Sequence, residues 1–149
     1  MCPRKRGGAP HGRFRAAVPP TEPSSGRFVR TAADAAALLA PLLEHRTGEG
    51  LSVLYLAGDR VLLGTGFYEG GPDETQLPLR AIAAAALGLG AEALVIGHNH
   101  PSGDPAPSAA DIAATRALAQ TLRSLGIRLD DHLVFAGGNV ASFRELGLL

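Results

Sequence analysis

Five apolar residues, Ala93–Gly97 (ALVIG), lie between a breaker-free Ala/Leu stretch and HNHPSGDPAPS, a run that prolines and a glycine break up. A run this short and apolar, bounded by such breakers, reads as a buried strand. The stretch before it, Pro78–Leu89, reads as a buried helix that Gly88 or Gly90 can end. After the loop, Ser108 opens a second helix to about Ser124, with Ile112, Leu118, Ala119 and Leu122 as its core stripe and Gly126 as its stop. A strand framed by helices in this way calls for a sheet that helices cover.

The flanking segments supply the rest of that sheet. Thr31-x-x-Asp34 matches a helix-start signal. The following AAALLAPLLEHR sets Leu38, Leu39, Leu42 and Leu43 on one face, with Pro41 expected to kink or divide the helix. Leu51–Ala57 and Arg60–Phe67 bracket Gly58-Asp59 as an antiparallel hairpin, and residues 68–74 read as a loop. Residues 127–136 form another strand, in which alternation puts Leu129, Asp131 and Leu133 on one face and His132 on the other. Gly137–Asn139 is a turn, and Val140–Phe143 a short last strand or turn. The order predicts an α/β (α+β) domain: a mixed central sheet with helices packed on its faces.

At 149 residues and 46% hydrophobic, the chain supports one domain with one core. With 5% aromatics and no Trp, that core must be largely Ala, Leu, Val and Ile. The zero net charge is unevenly spread. Residues 1–30 carry seven basic residues against one acid, Glu22, a net +6, and the remainder carries seven basic against thirteen acidic residues, a net −6. Residues 1–27 therefore read as a flexible basic leader before a domain at 28–149, and the leader is the one part suited to nucleic acid or an acidic partner. The acidic body lacks the basic face of a DNA-binding domain. Cys2 is the only cysteine, which excludes a disulfide framework and a thiolate zinc site. No apolar run approaches the ~20 residues of a membrane span, and no secretory signal is evident. A soluble, cytoplasmic protein with no membrane association is expected.

The chemistry concentrates at the end of ALVIG. In extended backbone His98 and His100 point to one side, so both imidazoles can reach one point. Asp111, in the first turn of the next helix, is placed to join them if the loop folds that helix start back over the strand end. Two histidines and a carboxylate leave a tetrahedral zinc with one open position, the pattern of a catalytic rather than a structural site. The bland reading stands beside it: Ser108-x-x-Asp111 also matches a capping box, in which both side chains satisfy helix-start N–H groups.

The string His98-Asn99-His100, seven residues, Ser108, two residues, Asp111 resembles the JAMM pattern, and HNHPSGDPAPSAAD resembles its RadC-like JAB branch. The resemblance runs from about Ala36 to Leu149 and includes the ending LDDHLVFAGGNVASFRELGLL. It implies a cytidine-deaminase-like JAB/MPN fold and one Zn²⁺ per chain on His98, His100 and Asp111. It also implies an upstream glutamate as general base: Glu49, just before LSVLYLA, takes that place, with Glu44 on the preceding helix as its competitor. Ser108 would steady the oxyanion. The implied reaction is hydrolysis of a peptide or isopeptide bond in a peptide or protein substrate. His132 reads as a structural histidine or one supporting the ligands from behind, with a metal or substrate role as the alternative. His11 and His45 are assigned nothing.

Other metal chemistries lack their residues. A zinc deaminase needs H-x-E and P-C-x-x-C, a zincin H-E-x-x-H, and the letters HNH here are three neighbours rather than the dispersed residues of a nuclease. RadC-like proteins usually carry a helical region before the JAB domain, and the short leader is read as standing in its place. The rival function is a non-catalytic RadC-like binding module associated with DNA repair or recombination, touching phosphates through the basic leader.

Overall fold

The computed structural model describes residues 14–18, 26–69 and 77–149. Among them are three helices, α1 (Ala32–Leu43), α2 (Leu79–Leu89) and α3 (Ala109–Ser124). The strands are β1 (Phe14–Val18), β2 (Gly50–Leu56), β3 (Leu62–Glu69), β4 (Ala93–Asn99), β5 (Arg128–Ala136) and β6 (Asn139–Ser142). They form one mixed sheet in the order β1-β3-β2-β4-β5-β6, in which only β4 and β5 are parallel.

The pleat divides the core in two. Leu54 and Leu56 of β2, Ala93 and Val95 of β4, and Leu133 and Phe135 of β5 face α1, where Ala35, Leu39 and Leu43 cover them. Leu51, Val53, Tyr55, Leu94 and Ile96 face the other way, against Ile82 and Ala86 of α2 and Leu118 and Leu122 of α3. The central strands β2 and β4 are covered on both faces, so they read as continuous apolar runs. Where α1 crosses β4 the sheet needs a residue without a side chain. A Cβ on Gly97 would stand 2.9 Å from Leu39 Cδ1 and 3.2 Å from both Leu43 Cδ1 and Phe135 Cε2.

Several local expectations change. Phe14–Val18, within the stretch read as flexible leader, is a strand paired antiparallel to β3; residues 1–13 and 19–25 of that leader lie outside the described residues. The loop read at 68–74 begins later, because Tyr68 and Glu69 still pair with β2, and residues 70–76 lie outside the described set. Pro41 does not divide α1. It sits in the last turn, where its missing N–H costs the single helical bond to the Ala37 carbonyl. The buried row of α1 is Ala35, Leu39 and Leu43, and Leu42 is 40% exposed. Helix α2 buries only Ile82 and Ala86, so it covers the sheet with one face, and Gly90 rather than Gly88 ends it.

The most consequential change lies in β5. Leu94 pairs with Leu129 but Val95 pairs with Asp131, so Asp130 is an extra residue, a bulge. Alternation is reset there. Leu129 packs on the α2/α3 side, opposite Leu133, and His132 stands beside Ile96 facing α3. Asp130 is held by Arg60 and Arg128, while its carbonyl accepts from Arg144 Nε at 2.8 Å.

Two outcomes follow. Gly97→Val overpacks the α1–sheet contact and lowers stability by about 1–3 kcal/mol; an unchanged urea midpoint contradicts this packing. Tyr55 is fully buried, its hydroxyl has no partner among the described residues, and burial pushes its pKa up from 10.0 to about 12. Below pH 10 the phenol is protonated folded and unfolded, so its contribution is constant. As pH rises from 10 to about 12 only the unfolded chain ionises, and stability falls. Tyr55→Phe removes this part of the alkaline decline with little loss at neutral pH, as urea titrations across that range would read.

Candidate metal centre

The site is built where β4 leaves the sheet. Strand alternation turns His98 toward α3, and the backbone N–H of His100 donates to Phe135 O at 2.8 Å, anchoring the loop on β5. Gly103, at φ 87, makes the turn there with a conformation that residues bearing a Cβ rarely adopt. The loop then delivers Ser108 as the N-cap of α3. Asp111 N–H donates to Ser108 Oγ at 3.0 Å, and Ser108 N–H donates to Asp111 Oδ2 at 2.9 Å. The capping box is therefore present, and the oxygen that completes it is also the one turned toward the histidines.

His98 Nε2 and His100 Nε2 lie 2.8 Å apart, and Asp111 Oδ2 lies 3.0 Å from His100 Nε2 and 3.5 Å from His98 Nε2. These three residues offer ligand atoms within 4.8 Å of one another and could hold a metal ion. Their side chains are 12%, 14% and 22% exposed, open enough to be reached and closed enough to be fixed.

The remaining ring nitrogens settle which atoms are lone pairs. His100 Nδ1 faces the backbone carbonyl of Asp104 at 2.8 Å, so it must donate, and in the neutral ring Nε2 is left as an acceptor. His98 Nδ1 meets His132 Nε2 at 2.6 Å, and His132 Nδ1 meets Thr115 Oγ1 at 2.7 Å. His132 is buried, which pushes its pKa well below the ordinary imidazole value, with His98 adding to that and Asp111 opposing it. Its ring stacks on Phe143 with centroids 4.4 Å apart. Acceptor atoms gathered this closely repel unless a cation, a proton or a metal ion, sits among them. The Asp111 carboxyl reports that demand. Burial works to raise its pKa, but contact with the His98 imidazole and the hydrogen bond from the Ser108 N–H outweigh it and hold it well below the usual carboxylate range.

A cleft of about 370 Å³ opens in front of these atoms, lined by Glu49, His100, Ser102, Ser108 and Asp111 among others. Glu49 is exposed and precedes β2. Glu44 is the C-cap of α1 and lines a separate hollow of about 90 Å³ with Arg46 and Pro101. Ser108 Oγ accepts from Asp111, and its own proton has no acceptor among the described residues.

Two residues that sequence reasoning passed over take part. Asn99, 3% exposed, points away from its flanking histidines. Its Oδ1 accepts from Gly50 N at 2.7 Å and its Nδ2 donates to Gly48 O at 2.9 Å. That amide clamps the peptide on both sides of Glu49. Alternation alone would have put Asn99 on the opposite face, but its partner, some fifty residues back, has no local signal. Thr115, one helical turn after Asp111, was likewise readable as sharing its face; the contact with His132 was not.

A model of the RadC-like JAB domain family matches residues 29–148. The UPF0758 protein HEAR2468 of Herminiimonas arsenicoxydans is 41% identical over 109 residues, 72% of this chain and 49% of that protein. A UPF0758 protein of Rhodobacter capsulatus is 42% identical over 108 residues, 72% of this chain and 50% of that protein. The UPF0758 protein YkfG of Escherichia coli K12 is 38% identical over 102 residues, 68% of this chain and 65% of that protein. The chain spans about half the length of the first two. The family model covers most of the chain, including both histidines and Asp111, and the chain belongs to the RadC-like JAB domain family.

Proposed function

We propose that this domain is a zinc-dependent metallohydrolase that cleaves a peptide or isopeptide bond. One observation carries the reading: His98 Nε2, His100 Nε2 and Asp111 Oδ2 converge as acceptors beside a cleft that Glu49 and Ser108 also line. An ion binding N and O ligands at about 2.0–2.1 Å with tetrahedral angles keeps them about 3.3 Å apart. The separations of 2.8, 3.0 and 3.5 Å bracket that value. Two neutral imidazoles and a carboxylate suit Zn²⁺, and three protein ligands leave one position for water or substrate.

When bound, zinc would supply Lewis acidity, which makes a water easier to deprotonate near neutral pH. The chain's own residues supply the rest. Glu49 accepts the proton of the attacking water and returns it to the leaving amine. Ser108, its oxygen already accepting from Asp111 N–H, directs its proton to the carbonyl oxygen as that atom becomes negative. Asn99 fixes the backbone that carries Glu49, a residue otherwise flanked by Gly48 and Gly50. The substrate is a flexible peptide segment entering the cleft in extended form.

Elemental analysis of purified protein should find about one zinc per chain, lost in Asp111→Ala; a wild type that takes up no zinc when supplied with it refutes the reading. Glu49→Gln should keep its zinc and lose turnover of a quenched-fluorescent peptide library, and full activity would remove Glu49 from the mechanism. Asn99→Ala should also keep its zinc while kcat falls about 10- to 100-fold, the cost of a base displaced by about an ångström. Wild-type kcat in that variant would show that the amide clamp is dispensable.

A further inference from the structure

We infer that His132 and Thr115 are positioning residues that hold His98 in the one tautomer able to present Nε2 as a lone pair to the metal. The inference rests on the proposed metal site but is argued from hydrogen-bond arithmetic behind it.

Thr115 has one hydroxyl proton. Its Oγ1 lies 2.6 Å from the backbone oxygen of Asp111, an atom that can only accept, so the proton is committed there. Toward His132 Nδ1, 2.7 Å away, Thr115 must therefore accept, and His132 Nδ1 carries a hydrogen. The neutral His132 ring then has a lone pair on Nε2, which faces His98 Nδ1 at 2.6 Å. His98 Nδ1 must donate, and in the neutral ring His98 Nε2 is left without a hydrogen. With both rings neutral, each step follows from the one before it, and the chain starts from a main-chain carbonyl, whose polarity cannot reverse.

The chain also closes on itself. It begins at the carbonyl of Asp111 and ends at His98, so two ligands from different elements, α3 and β4, are joined through β5. The joint is protected. His132 is 1% and Thr115 1% exposed, and Phe143 stacks on the His132 ring at 16° between planes, leaving little freedom to turn. The bulge at Asp130 gives the strand the phase that points His132 at α3. A serine or threonine bonding back to the fourth preceding carbonyl is common in helices and by itself means little. Here the same oxygen also receives a buried histidine that has a ligand as its other partner, and a core residue needs no such continuation.

The test uses the full chain, with zinc alone as the probe. Zinc affinity is read by competition with a chromophoric chelator for wild type, Thr115→Val and Thr115→Ser. Thr115→Val keeps shape but removes the acceptor; Thr115→Ser restores it. Valine should weaken zinc binding about 10- to 100-fold, the usual cost of losing an outer partner of a metal ligand, and serine should bring it back to within a few-fold of wild type. Wild-type affinity in the valine variant overturns the inference while leaving the metal site standing. A second readout needs neither zinc nor variants: ¹⁵N NMR of the metal-free wild type with neutral histidines. Hydrogens on Nδ1 of both His98 and His132 support the inference. A hydrogen on Nε2 of His98 overturns it, whether or not the protein binds zinc.

Discussion

Two-residue alternation at the end of β4 sends His98 and Asn99 to opposite faces of a sheet that helices cover on both sides. A polar side chain buried there must find partners or cost on the order of 1–3 kcal/mol. His98 finds His132 beneath α3, and Asn99 finds the backbone at Gly48 and Gly50 beside α1. The strand end is thereby tied to three other parts of the chain: the start of β2, the middle of β5 and the first turns of α3. Those are the parts that carry Glu49, His132 and Asp111. The cleft is thus organised by the need to satisfy buried polar groups as much as by packing.

The same economy governs α3. Its capping box would serve any helix, and Ser108 and Asp111 make the reciprocal bonds such a box requires. Asp111 Oδ2, however, is shared between the Ser108 N–H and the two imidazoles, so the helix start and the candidate metal centre hold each other in place. The capping and ligand readings of this pair are compatible, because one carboxylate oxygen has lone pairs enough for both.

Much of this was legible beforehand because it is local. The hairpin around Gly58-Asp59, the strand at ALVIG and the helix opened by Ser108 each follow from short-range periodicity and turn residues. The pairing of His98 with His100 follows from the period of a strand, and the motif resemblance brought Asp111 to them. What escaped depends on pairing between distant segments. The bulge at Asp130 moves Leu129 to the other face, yet it is set by register against β4 and has no local mark. Phe14–Val18 became a strand because β3 offers it an edge; the residues alone, FRAAV, show too little pattern. His132 was read as a supporting histidine, but its partners come from α3 and β4, which no spacing in the sequence connects.

In the proposed function, three acceptor atoms at the end of β4 and the start of α3 hold one zinc ion, with His132 behind the site rather than in it. Anomalous diffraction at the zinc edge from zinc-loaded crystals tests that most directly. One strong peak is expected, bonded to His98 Nε2, His100 Nε2 and Asp111, with the His132 ring unligated. A zinc-loaded crystal with no peak there, or a peak bonded to His132, would contradict it.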